Sequence, residues 1–79
     1  MDFIEKKCYH YTSWELKTDL KFIRFKVQQS SLNGYKTFTP VIIIGNDILP
    51  FTAIEDLEVA KKFITNKYLA LKNSQHSPL

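Results

Sequence analysis

The chain has 79 residues, 44% of them hydrophobic, and a formal net charge of +3 from eleven basic and eight acidic side chains. That length bounds it to one small domain with a thin core, and the composition excludes a disordered chain. A single cysteine, Cys8, excludes an intramolecular disulfide, and the mild positive charge permits a nucleic-acid or anionic partner without requiring one.

The first residues, "MDFIEKK", carry charges where a signal peptide needs an apolar run. The longest aliphatic run, Val41 to Ile44, is far too short to span a bilayer. A cytoplasmic, soluble protein without a membrane partner is therefore expected. "KKCYHYTSW" reads as a strand, with Cys8, His10, Thr12 and Trp14 on one side and Tyr9, Tyr11 and Ser13 on the other. "ELKTDL" then connects it to the next element.

"LKFIRFKVQ" alternates as a half-buried strand does: Ile23, Phe25 and Val27 point one way, Arg24 and Lys26 the other. Asn33-Gly34 is a strong hairpin signal, because both residues tolerate the positive φ of a type I′ turn. A turn there sets Leu32 against Tyr35, Val27 against Pro40, Phe25 against Ile42 and Ile23 against Ile44. A second two-residue turn at Gly45-Asn46 sets Ile44 against Asp47, Ile42 against Leu49 and Pro40 against Phe51. One sheet face thus collects Ile23, Phe25, Val27, Ile42, Ile44, Leu49 and Phe51. Pro50 suits an edge strand, whereas Pro40, in the central strand, predicts a bulge or break.

The C-terminal third reads as a helix. Thr52 and Glu55 match a Thr-x-x-Glu capping box, and Glu55, Asp56 and Glu58 suit the positive end of the helix dipole. Leu57, Ala60, Ile64, Tyr68 and Leu71, widened by Phe63, form an apolar stripe to lay across the sheet. The reading is a single α+β domain over residues 1–72, with 73–79 as a tail. It has a small antiparallel sheet of three or four strands and one C-terminal helix packed across one face.

The other sheet face is the candidate for function. It pairs the basic strand with apolar residues: Phe22, Arg24, Lys26, Tyr35, Val41, Ile43 and Ile48, with Lys36 near its edge. Three occupants could cover it: the aromatic N-terminal segment, a second copy, or a different partner. Cys8 and His10 would share a face of a strand, but no spacing supplies the orienting group and oxyanion site that a nucleophile needs. With no Cys-x-x-Cys or His-x-x-x-His and only two glycines, neither a metal site nor a nucleotide cofactor is indicated. The expected function is a non-catalytic protein-binding module, of accessory, adaptor or inhibitor type, acting as a homodimer. The alternative is a small nucleic-acid-binding protein, in which Arg24, Lys26 and Lys36 meet phosphates and Phe22 and Tyr35 stack on bases.

Overall fold

A computed structural model of the protein describes residues 2–75. Five strands follow one another as a meander, β1 (Phe3–Lys7), β2 (Thr12–Leu16), β3 (Ile23–Leu32), β4 (Tyr35–Ile44) and β5 (Asp47–Pro50), before one helix, α1 (Leu57–Gln75). All neighbours are antiparallel, and the sheet order is β1-β2-β3-β4-β5.

The sheet therefore has five strands where three or four are expected. The extra strand comes from the N-terminal segment, which is a hairpin and not one long strand. Its turn occupies Cys8 to Tyr11, closed by a bond from the Cys8 N–H to the Tyr11 carbonyl at 2.8 Å. β2 then pairs with β3 through Trp14 opposite Val27, so this segment widens the sheet and does not fold over its second face.

The β3–β4 and β4–β5 registers follow the two turns as read from sequence. Val27 faces Pro40, Phe25 faces Ile42, and Ile42 in turn faces Leu49. Asn33 and Gly34 both adopt positive φ, 53° and 83°, as a type I′ turn requires. At the second turn Gly45 has φ 60° and Asn46 does not share the positive sign, the pattern of a type II′ turn.

Pro40 causes no bulge, because β4 runs unbroken from Tyr35 to Ile44. Its carbonyl accepts from the Phe51 N–H at 2.9 Å, so its backbone points toward β5 and away from β3. In an antiparallel ladder a residue's nitrogen and carbonyl point the same way. The missing N–H of Pro40 thus falls just past the end of β5, where no strand residue needs it.

The core lies between the sheet and α1. Trp14, Leu16, Phe25 and Val27 pack with Ala60, Ile64 and Tyr68, and Leu57 and Leu71 extend the helix stripe at its ends. Phe25 meets Tyr68 edge-on at 5.5 Å and Trp14 meets Phe38 at 5.8 Å, geometries that favour aromatic pairs. Phe25, Val27 and Ile64 are almost wholly buried, each contributing about 1.5–3 kcal/mol. Lys61 lies over the rings of Phe3 and Trp14, and Lys67 over those of Phe51 and Phe63, so the helix margins cover apolar surface with lysine stems.

The helix begins later than the Thr52–Glu55 pattern implies. Residues 51–56 stay non-helical, and Ile54 forms a two-way bridge with Phe38, with N–O distances of 2.7 and 2.8 Å. That bridge satisfies backbone groups that an earlier helix would claim. The cap is Asp56, whose Oδ1 accepts from the N–H groups of Glu58 and Val59 at 2.8 and 3.3 Å. Glu58 alone remains as an acid within the first turn. At the other end α1 continues through Gln75, past the expected start of the tail at 73, and residues 76–79 lie outside the described residues. The Tyr68 hydroxyl donates to Asp19 Oδ1 at 3.1 Å and accepts from Lys72 Nζ at 3.4 Å, fastening the helix to the β2–β3 connection.

Candidate interaction face

The sheet face away from α1 is built from the even-numbered residues of β3 and their cross-strand partners. Three of its rows span three strands or more. Arg24, Ile43 and Ile48 make one; Ile4, Glu15, Lys26, Val41 and Pro50 make the next; Lys6, Ser13, Gln28 and Thr39 make the third. Among the described residues no element lies over these rows. The N-terminal segment, one expected occupant, lies in the plane of the sheet instead.

Glu15 organises the charges. Arg24 donates to both of its carboxylate oxygens, at 2.7 Å from a terminal guanidinium nitrogen and 3.1 Å from Nε, and Lys6 Nζ lies 3.9 Å away. The Arg24 hydrogen bond is the main reason the Glu15 carboxyl sits below its ordinary pKa, with the charges of Arg24, Lys6 and Lys26 assisting against partial burial. The same pair raises the Arg24 pKa. This forked contact ties the guanidinium to a neighbour and reduces what it can offer an incoming phosphate.

The expected site residues separate into four groups. Arg24, Lys26, Ile43 and Ile48 are neighbours on the open face, as read from sequence. Val41 is on that face but only 3% exposed, lying between Lys26 and Pro50 in register and between Thr39 and Ile43 along its strand. Long neighbours roof a β-branched side chain in such a position, so Val41 supports the face from beneath. Lys36, opposite Ser31, shares the alternation of Phe38 and Ile42 and belongs to the helix side of the sheet.

Phe22 and Tyr35 do not meet. Phe22 precedes β3, where its carbonyl accepts from the Gly45 N–H at 3.0 Å, and Tyr35 begins β4 at the Asn33-Gly34 tip. They stand at opposite ends of a ten-residue hairpin, roughly 30 Å apart at about 3.3 Å per residue. Both rings are exposed, Phe22 at 79%. Ile4, Lys6, Glu15 and Pro50 are face residues absent from the expected set; Ile4 and Lys6 were missed because β1, on which they lie, was not separated from β2. In the case of Ile4, alternation with charged Glu5, Lys6 and Lys7 carries little strand signal.

Cys8 and His10 sit in the β1–β2 turn and do not share a strand face. His10 packs edge-on against Tyr9 at 4.5 Å. The Tyr11 pKa is raised by the adjacent Cys8 side chain, chiefly through hydrogen bonding and then through its charge. A shallow cleft lies between β1 and α1, lined by Asp2, Lys17, Glu58, Lys61 and Lys62 with Phe3 at its wall, so that opposite charges share its surface. Among the described residues there is no cluster of three His, Cys, Asp or Glu residues able to hold a metal ion, and no helix is long and apolar enough to cross a membrane.

No family model, curated protein or solved structure matches the chain.

Proposed function

We propose that this protein is a non-catalytic protein-binding module, assembled as a homodimer, whose partner docks on the open sheet face. One observation carries the reading. Ile4, Ile43, Ile48 and Pro50 lie uncovered on a face whose central arginine is already paired with Glu15. Ile48 is 64% exposed and Ile4 44% exposed, at opposite margins of the face, with the charges of Glu15, Arg24 and Lys26 between them. Apolar side chains left exposed on so small a domain, around an arginine that is already paired, favour a protein partner over an anionic one.

A nucleic-acid face draws less support. Its aromatic residues stand at the two ends of the hairpin, and Lys36 is on the other side of the sheet. Continuous stacking along a strand of nucleic acid needs aromatic and basic groups interleaved along one groove.

The test compares three versions of the chain as bait for partner proteins in cells that make it. Parent protein and Arg24→Glu should retain a common partner, and Ile43→Asp should lose it while keeping the parent's circular dichroism. Retention of the parent on an immobilised oligonucleotide that falls with added salt and vanishes in Arg24→Glu/Lys26→Glu would overturn the proposal.

A further inference from the structure

The two edges of the sheet are defended differently. β1 presents Glu5, Lys6 and Lys7 in succession, and charge of this kind opposes pairing with another strand. β5 presents Asp47, Ile48, Leu49 and Pro50, all exposed. It is apolar on both sides, with Ile48 on the open face and Leu49, 46% exposed, on the helix face. No residue of β5 belongs to the core or packs directly on it, because α1 crosses over β3 and β4.

The backbone of β5 also has a defined free side. Asp47 and Leu49 flank β4 opposite Ile44 and Ile42, and the Phe51 N–H reaches Pro40. That alternation turns the N–H and carbonyl of Ile48, and the carbonyl of Pro50, away from β4 toward the free edge. Pro50 removes the donor that would come next.

We propose that two copies of the chain pair edge to edge through β5, antiparallel about a twofold axis at Ile48, forming one continuous sheet of ten strands. The proposal rests on the homodimer in the reading above and names its contact. Each Ile48 N–H donates to the Ile48 carbonyl of the other copy. Each Pro50 carbonyl points at the other copy's Gly45-Asn46 turn, where Asn46 carries N–H donors. Leu49 falls diagonal to its counterpart, within reach of a long side chain across a strand pair.

A second copy suits this edge better than an unrelated extended peptide does. The edge offers one complete N–H and carbonyl pair, and a twofold partner answers it with the identical pair. The axis stands normal to the sheet, so both open faces lie on the same side, and partner-binding surface from two chains becomes continuous. The contact is small, at the low end of specific interfaces, and the dimer therefore dissociates on dilution.

Sedimentation equilibrium over a wide concentration range tests this on the full chain. The parent should pass from monomer to dimer. Ile48→Pro removes an outward N–H without touching the β4–β5 ladder, and should raise the dissociation constant roughly tenfold or more through the loss of two hydrogen bonds. Ile48→Thr, which keeps the N–H, and Ile43→Asp, which charges the face and leaves the edge alone, should shift it less. Amide exchange gives a readout without substitution: the Ile48 N–H should slow as the protein is concentrated.

A parent that stays monomeric, an Ile48 amide indifferent to concentration, or Ile48→Pro pairing as tightly as the parent would each overturn the edge contact. Loss of the dimer in Ile43→Asp with retention in Ile48→Pro would also overturn it, and would place the homodimer on the open face itself. Loss of a separate partner in Ile43→Asp with the dimer intact supports both readings together.

Discussion

The two faces of this sheet use the same strands and very different chemistry. Phe25 and Val27, with Trp14 and Leu16 from β2, lie under α1 and are buried. One residue along, Arg24 and Lys26 face outward beside Ile43 and Ile48, with nothing over them among the described residues. The covered face gives the fold its stability, and the open face retains apolar surface that folding does not use. A domain this small has little burial to spare, and on the proposed function the uncovered isoleucines are surface kept for association.

The largest test of that contrast is Phe25→Ala. Removing a fully buried ring beneath Tyr68 should cost about 3–5 kcal/mol, enough to leave a small domain largely unfolded in a thermal melt. Ile43→Ala, on the adjacent strand but the opposite face, should cost about 1 kcal/mol, since partial exposure limits both the transfer and the cavity terms. Equal losses at the two positions would mean that the open face is part of the core.

Asp56→Ala separates the two possible helix starts. It should lower stability by about 1 kcal/mol, or about 4–8 °C in Tm, whereas Thr52→Ala should leave the melt unchanged.

The smallest effect concerns the ion pair on the open face. The Glu15 pKa is depressed in the folded chain, chiefly by the Arg24 hydrogen bond. Its contribution is therefore present above the ordinary glutamate pKa and is lost as pH falls through the depressed one. A partly exposed pair of this kind is worth about 0.2–1 kcal/mol. Glu15→Gln should lower stability by that amount at neutral pH and flatten the acid limb of the stability profile, read from urea unfolding at several pH values.

Much of the covered face was legible in the sequence, because Asn33-Gly34 and Gly45-Asn46 fix register and a one-residue slip would expose Phe25 and Val27. The helix stripe from Leu57 to Leu71 was equally plain. The β1–β2 hairpin was not, since its turn from Cys8 to Tyr11 contains no glycine, proline, asparagine or aspartate to mark it. The helix start was obscured because Thr52–Glu55 matches a capping box locally, while the bridge between Ile54 and Phe38 that overrides it is a tertiary contact. On the open face, alternation from Tyr35 already assigns Lys36 to the helix side. The burial of Val41 depends on the side chains that surround it in three strands, and pattern alone does not supply that.

The central claim is that the open face, and not the exposed side of the helix, receives a partner. The direct measurement compares partner binding by Ile43→Asp and by Val59→Asp, the latter placing the same charge at an exposed position on α1. The account predicts that Ile43→Asp loses the partner and Val59→Asp binds as the parent does. Loss in Val59→Asp with full binding by Ile43→Asp would contradict it.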